Sequence, residues 1–242
     1  MPGGAPWVRN QLLPIFVSNV LSFVNLGIYW NKHHRLPHVT RTWRGEVSGY
    51  PRAHRLGLPA LGRLAMRLSG WSFRGALPEL PKYVIVVAPH TSNWDFPVGV
   101  AALFAIDLDA HWFGKASLFR GPMGTIMRLL GGRPVRRDTP EGVVAEMAAA
   151  VAAAPQFVIA LAPEGTRRQV DHWRTGFYRI AEAAEIPIVA VSFDWSRREI
   201  GIHPPVWATG NLRDDVAALQ ALYEPRMARH PGAFWTPSVS SR

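Results

Sequence analysis

Tyr83-Val84-Ile85-Val86-Val87-Ala88-Pro89, followed at once by His90-Thr91-Ser92-Asn93-Trp94-Asp95, decides the fold and points to the chemistry. The first seven residues are β-branched or apolar, carry no charge and are bounded by Pro81 and Pro89, the pattern of a short buried strand. Ser92, Asn93 and Asp95 are residues that cap helices, Pro97 suits a first turn, and Val98 to Ile106 continues as a helix. His90 therefore belongs to a strand-to-helix turn. On a regular helix, positions five apart lie roughly 140° from each other, so His90 and Asp95 would not meet there. In a turn they can. An imidazole whose second nitrogen is held by a carboxylate is fixed in tautomer and made more basic, as a general base for a hydroxyl requires. Spacing alone leaves a second reading equally open, in which His90 only ends a strand and Asp95 only caps the helix.

Outward from this stretch, strands and helices alternate. Strand-like runs are Tyr83–Pro89, Ala110–Gly114, Arg133–Arg136, Gln156–Pro163 and Ile186–Asp194. Helix-like runs are Phe96–Ile106, Met123–Leu130, Glu141–Ala153, Thr175–Glu185 and Asp214–Arg229. The alternation predicts an α/β fold, a mostly parallel central sheet flanked by helices. Ligands of such sheets bind beyond the carboxyl ends of strands, so His90 and the loop Pro163-Glu164-Gly165-Thr166-Arg167 should open on the same side.

That second loop places a turn glycine and a run of charged and hydroxyl groups directly after the apolar Phe157–Leu161. An arginine held by Glu164 would form a rigid phosphate fork, and Thr166 would donate a hydrogen bond. The plainer alternative is a β-turn with a salt bridge. Gly131-Gly132-Arg133-Pro134-Val135-Arg136-Arg137-Asp138 puts further cations beside a glycine turn, where a phosphate can approach closely or where charges are simply solvated. Lys115 and Arg120 lie in a comparable loop around Gly114 and Gly121.

The balance of 27 basic to 17 acidic residues gives a formal net charge of +10, and all the basic residues except Lys32, Lys82 and Lys115 are arginines. Arginine binds phosphate and carboxylate in a bidentate fork, which suits anionic lipid headgroups, an acidic carrier protein or nucleic acid. Nucleic acid lacks support, because the arginines are scattered and no helix-turn-helix, zinc-finger or aromatic RNA-binding signature is present. Without cysteine there is no disulfide, no thiolate nucleophile and no cysteine-bound metal. His33, His34 and His38 have no second ligand cluster at suitable spacing, so no metal is expected.

Leu12 to Trp30 is mostly apolar and approaches the length of about 20 residues that a bilayer span needs. Pro14, Ser18, Asn19, Ser22 and Asn25 interrupt it, and the stretch is expected to lie as an amphipathic helix in or against a membrane, anchored by Trp30, Lys32 and Arg35. Packing on the protein's own core is the alternative. Residues 1–51 form this segment and a linker, and 52–242 form the catalytic α/β domain. Within that domain, Arg52 to Ser69 sets leucines among arginines as a basic amphipathic helix, suited to an anionic membrane surface or to inward packing of its leucines. The motif-bearing core runs over 82–205 and a C-terminal helix over about 211–229.

Together these stretches resemble the glycerolipid acyltransferase family, which includes the 1-acylglycerol-3-phosphate acyltransferases. The resemblance covers residues from about Lys82 to about Pro205. His90-Thr91-Ser92-Asn93-Trp94-Asp95 matches the family's first motif, histidine, four residues, aspartate. Lys115 through Gly124 is similar to the segment before the second motif, and Gly131–Arg137 resembles that motif, with Arg137 at its usual arginine. Pro163-Glu164-Gly165-Thr166-Arg167 matches the third, and Ile186-Pro187-Ile188-Val189-Ala190-Val191 resembles the fourth. Ala162, Arg168 and Ala190 depart from the common residues, which bears on chain and acceptor preference more than on chemistry.

The resemblance implies that His90, oriented by Asp95, deprotonates an acceptor hydroxyl that attacks the thioester of acyl-CoA or acyl-acyl carrier protein directly. No metal or other cofactor is needed. It implies that Arg137 and Arg167 hold the acceptor phosphate and that Glu164, Gly165 and Thr166 shape that loop, with Lys115 and Asn93 as further substrate contacts. The expected acceptor is a lysophospholipid, foremost 1-acylglycerol-3-phosphate, at the cytoplasmic face of the cell membrane among anionic lipids. A lyso-aminolipid or glycolipid acceptor, or a non-catalytic basic lipid-binding module, are the alternatives.

Overall fold

A computed structural model of the chain describes residue 53 and residues 57–135 and 140–235. The N-terminal segment and its histidines, and Arg136 to Asp138, lie outside the described residues. In chain order the elements are α1 (Leu58–Ser69), β1 (Ser72–Arg74), β2 (Lys82–Ala88), α2 (Asp95–Ala105), β3 (His111–Lys115) and α3 (Gly121–Leu129). They continue with β4 (Gly132–Val135), α4 (Pro140–Ala153), β5 (Phe157–Leu161), α5 (Gly176–Ala183), β6 (Ile188–Asp194), β7 (Glu199–Val206) and α6 (Leu212–Gln220).

One seven-stranded sheet carries the order β1-β7-β6-β2-β5-β3-β4. From β6 to β4 every neighbouring pair is parallel, while β6 and β7 are antiparallel and β1 runs parallel to β7. The predicted α/β architecture is thus present, with an antiparallel edge that the sequence reading did not include. β2 lies between β6 and β5, with Val84 opposite Ile188 and Tyr83 opposite Val158. Its composition explains the placement: a strand covered on both faces must be apolar on both. Val84, Val86 and Ala88 pack on one face with Phe177, Tyr178 and Trp173. Tyr83 and Ile85 pack on the other with Val189, Met66 and Ala102.

β1 and β7 were hidden by length and by proline. β1 has only three residues, and β7 contains Pro204 and Pro205. Proline lacks the N–H that a ladder needs. β1 pairs only with Glu199, Ile200 and Gly201, so the prolines fall past the stretch that β1 covers.

The basic helix forms, but packs differently from its leucine pattern. Leu61, Leu64 and Leu68 are exposed, whereas Gly62 and Met66 are buried. A Cβ at Gly62 would meet the Ala105 nitrogen at 2.4 Å and the Ala101 oxygen at 2.8 Å, so the missing side chain is what lets α1 lie against α2. The expected C-terminal helix over 211–229 is also corrected. α6 ends at Gln220, and one-turn 3-10 helices follow at Pro225–Met227 and Pro231–Ala233. Pro225 and Pro231 lack the N–H that a continuous α-helix would require.

Candidate functional site

Because β6, β2 and β5 are adjacent and parallel, the segments after Ala88, Leu161 and Asp194 all leave the same edge of the sheet. This is where strand order diverges from β2 to either side, the place where open α/β sheets form crevices. His90, Glu164 and Trp195 arrive there from three separate strands.

His90 Nδ1 lies 3.1 Å from Asp95 Oδ2, with the histidine side chain 20% exposed and the aspartate side chain 1% exposed. Asp95 is the first residue of α2, and its Oδ2 also accepts the Ser92 N–H at 2.8 Å. Its other oxygen, Oδ1, accepts the Trp195 indole N–H at 2.8 Å. Both carboxylate oxygens therefore have donors, as burial of a charged group demands. The carboxylate occupies Nδ1, so Nε2 is the ring nitrogen left to take a proton.

Helix capping is achieved otherwise than the residue types suggested. The N-cap position is Trp94, without a side-chain cap hydrogen bond, and Asp95 bonds backward to Ser92 instead of forward along the helix. Ser92 Oγ accepts the Trp94 N–H at 3.2 Å, and Asn93 is exposed in the turn.

Glu164 is 4% exposed and turns toward this loop, its Oε2 accepting the His90 backbone N–H at 2.8 Å. Its Oε1 is buried with no hydrogen-bond partner among the described residues. Burial pushes its carboxyl from 4.5 up to about 8; the His90 N–H pulls the other way, and the nearby Asp95 charge adds to the rise. The expectation that Glu164 holds Arg167 is therefore corrected: it binds the histidine loop, and no ion pair joins it to Arg167 among the described residues.

Gly165, Thr166 and Arg167 are exposed beyond it. Gly165 has φ +64°, and a Cβ there would come within 2.7 Å of Arg174 Nε, so the Arg174 side chain crosses the turn. Thr166 Oγ1 accepts the Arg168 N–H at 3.3 Å. Lys115 ends β3, at the same edge as the other loops, opposite Val135. Arg137 lies outside the described residues.

The sequence reading missed Trp195, Arg229 and His230. Arg229 lies with its guanidinium carbon 4.5 Å from the Trp195 ring centre and 5.5 Å from that of Trp94. The His230 N–H donates to Thr91 Oγ1 at 3.2 Å. Trp195 carried a usable signal, directly following a predicted strand on the shared edge. The other two did not: Arg229 ends a run that reads as helix, and His230 follows it with no motif around it.

The described residues contain no group of three or more His, Cys, Asp or Glu able to hold a metal. A recess of about 1010 Å³ lies elsewhere, lined by residues that include Asp171, Trp173, Asn211 and Val216, and none of the residues above borders it.

The acyltransferase family model matches residues 76–194. A curated protein of Chryseobacterium sp. (strain P1-3), described as a potassium channel, is 38% identical over 48 residues. That match covers 19% of this chain and 25% of that protein, so the chain spans about a quarter of the relative's length. The crystal structure of the 1-acyl-sn-glycerophosphate acyltransferase PlsC from Thermotoga maritima is similar at 18% identity and a TM-score of 0.47. The similarity covers 68% of this chain and 78% of that one.

Proposed function

We propose that the chain, whose residues 76–194 match the acyltransferase family model, moves a fatty acyl group from a thioester to the hydroxyl of a lysophospholipid. The observation that carries the proposal is the His90–Asp95 contact of 3.1 Å at a strand end, with the aspartate buried and His90 partly open. His90 Nε2 takes the proton of the acceptor hydroxyl as its oxygen attacks the thioester carbonyl. The tetrahedral intermediate collapses with cleavage of the C–S bond, and the proton held by His90 passes to the leaving thiolate. Asp95 keeps the ring oriented and offsets the charge that forms on it.

The donor is acyl-CoA or acyl-acyl carrier protein, and 1-acylglycerol-3-phosphate is the foremost acceptor. Arg167, together with Arg137 and Lys115, supplies the cations for the acceptor phosphate. Asn93, exposed in the His90 turn, is a further substrate contact. Gly165 permits the turn that brings Arg167 out, and Thr166 closes it. No metal or other cofactor takes part in this scheme.

The test is a mass-spectrometric screen of the purified full chain against a panel of lysolipids with both thioester donors. A phosphate-bearing lysolipid should be acylated, folded His90→Ala protein should give no product, and turnover retained by that variant would sink the reading. Arg167→Ala should raise KM by about tenfold for phosphate-bearing acceptors only, the loss of a hydrogen bond to a charged group. Equal losses with neutral acceptors would remove its role.

Attachment to the cytoplasmic face of the cell membrane belongs to the same proposal. It is supported by α1, which exposes Leu61 (42%), Leu64 (51%) and Leu68 (79%) beside Arg63 and Arg67. Apolar side chains flanked by cations suit an anionic bilayer surface. No helix among the described residues is long and apolar enough to cross a membrane. Leu64→Ser combined with Leu68→Ser should lower the fraction bound to anionic vesicles without changing the unfolding midpoint; an unchanged bound fraction would take α1 off the bilayer.

A further inference from the structure

We infer that Trp195 is a positioning residue for the acyl-transfer dyad, acting through its indole N–H on Asp95. This rests on the acyltransferase reading of His90. A carboxylate that steers an imidazole must itself be fixed, and contacts to Oδ2 alone leave it free to turn about that atom. The Trp195 donor, 2.8 Å from Oδ1, removes that freedom. With Ser92 N–H and His90 Nδ1 both on Oδ2, the carboxylate plane is defined from two sides.

Trp195 is itself held more firmly than a packing residue needs to be. Its backbone N–H donates to the Met227 carbonyl at 2.9 Å. The preceding residue, Asp194, is buried and paired to Arg226 at 3.0 Å, and accepts the Arg197 N–H at 3.1 Å. Trp71 meets the indole edge-on at 4.9 Å between ring centres and 88° between planes, and Arg229 lies 4.5 Å over its face. The donor is thereby aimed before any substrate arrives, which is how a preorganised site avoids reorganisation during reaction.

Arg226 and Arg229 divide the work of this brace. Arg226 is neutralised by Glu224 and Asp194, whereas Arg229 makes cation–π contacts with Trp94 and Trp195. The C-terminal segment thus reaches the dyad through an aromatic ring, and reaches the His90 loop through His230 and Thr91.

The test uses the full-length protein and two readouts. Trp195→Phe should lower kcat for acyl transfer by about tenfold or more, the effect of losing a hydrogen bond to a charged group. KM for both substrates should stay within about twofold, since the indole bonds Asp95 and not the ligand. Trp71→Phe, which loosens the same packing but leaves the donor, should keep kcat near wild type. A kcat unchanged in Trp195→Phe, or lost equally in Trp71→Phe, would overturn the inference. Independently of activity, one indole N–H resonance among those of the ten tryptophans should vanish in Trp195→Phe and move upfield in Asp95→Asn. A resonance unmoved by Asp95→Asn would overturn the contact. A wild-type protein with no acyl transfer would instead defeat the proposed function, leaving the resonance to decide the contact.

Discussion

The turn after β2 and the turn after β5 leave the same edge of the sheet from neighbouring strands, and each buries one acid, yet the two acids are treated in opposite ways. Asp95 receives donors on both oxygens, from Ser92, Trp195 and the His90 ring. Glu164 receives one donor, the His90 N–H, and leaves Oε1 buried without a partner among the described residues. Burial then carries Glu164 up to about 8, so that at neutral pH it largely keeps its proton. The difference teaches that residue type does not set the role of an acid in this site. The supply of donors does: Asp95, with donors on both oxygens, contacts the histidine ring, and Glu164 holds the histidine backbone.

The sharpest way to break this contrast is to make the same acid-to-amide change in both turns. Asp95→Asn should lower kcat for acyl transfer by about 10²–10⁴-fold if the proposed general base, His90, depends on the carboxylate that orients it. Glu164→Gln should stay within a few-fold at pH 7, since an amide oxygen still accepts the His90 N–H. Equal losses in steady-state kinetics would erase the distinction between the acids.

A smaller effect sharpens it through stability. The folded Glu164 holds its proton up to about pH 8, while in the unfolded chain it ionises near its ordinary value of 4.5. Between those values the folded state binds the extra proton, so its advantage falls as pH rises through this window. Wild-type protein should therefore lose thermal stability from pH 5 to pH 8 relative to Glu164→Gln, and parallel melting curves for the two would show that Glu164 is ionised when folded. The smallest expected change concerns the exposed part of the second turn. Gly165→Ala places a Cβ at φ +64° and against Arg174, and should destabilise the protein by about 1–2 kcal/mol in urea unfolding. No change would mean that the turn is not held in this conformation.

Much of the parallel half of the sheet was legible because its signals are local. The run from Tyr83 to Ala88 is too apolar to be anything but covered on both faces, and glycine or proline punctuates the boundaries around it. The basic helix was legible as a helix but not in its packing. Leucines at 61, 64 and 68 left a membrane-facing and an inward stripe equally open; they are exposed, and the contact with α2 is made where Gly62 has no side chain at all. Periodicity reports which face is apolar and is silent on how closely a partner backbone can approach. The C-terminal stretch read as one helix over about 211–229 because its alanines and leucines outweighed Pro225, which a continuous helix cannot accommodate.

By itself, the sequence determined the α/β alternation, the strand-to-helix turn at His90 and the appearance of Glu164 and Arg167 at another strand end. Those follow from side-chain periodicity, turn residues and capping chemistry, all of which act over a few neighbours. Only the tertiary structure decided that Glu164 bonds the His90 backbone across 74 residues and that Trp195 bonds Asp95 across 100. Such pairings depend on which strands become neighbours, and strand order is set by the burial of the whole sheet, beyond the reach of any local pattern.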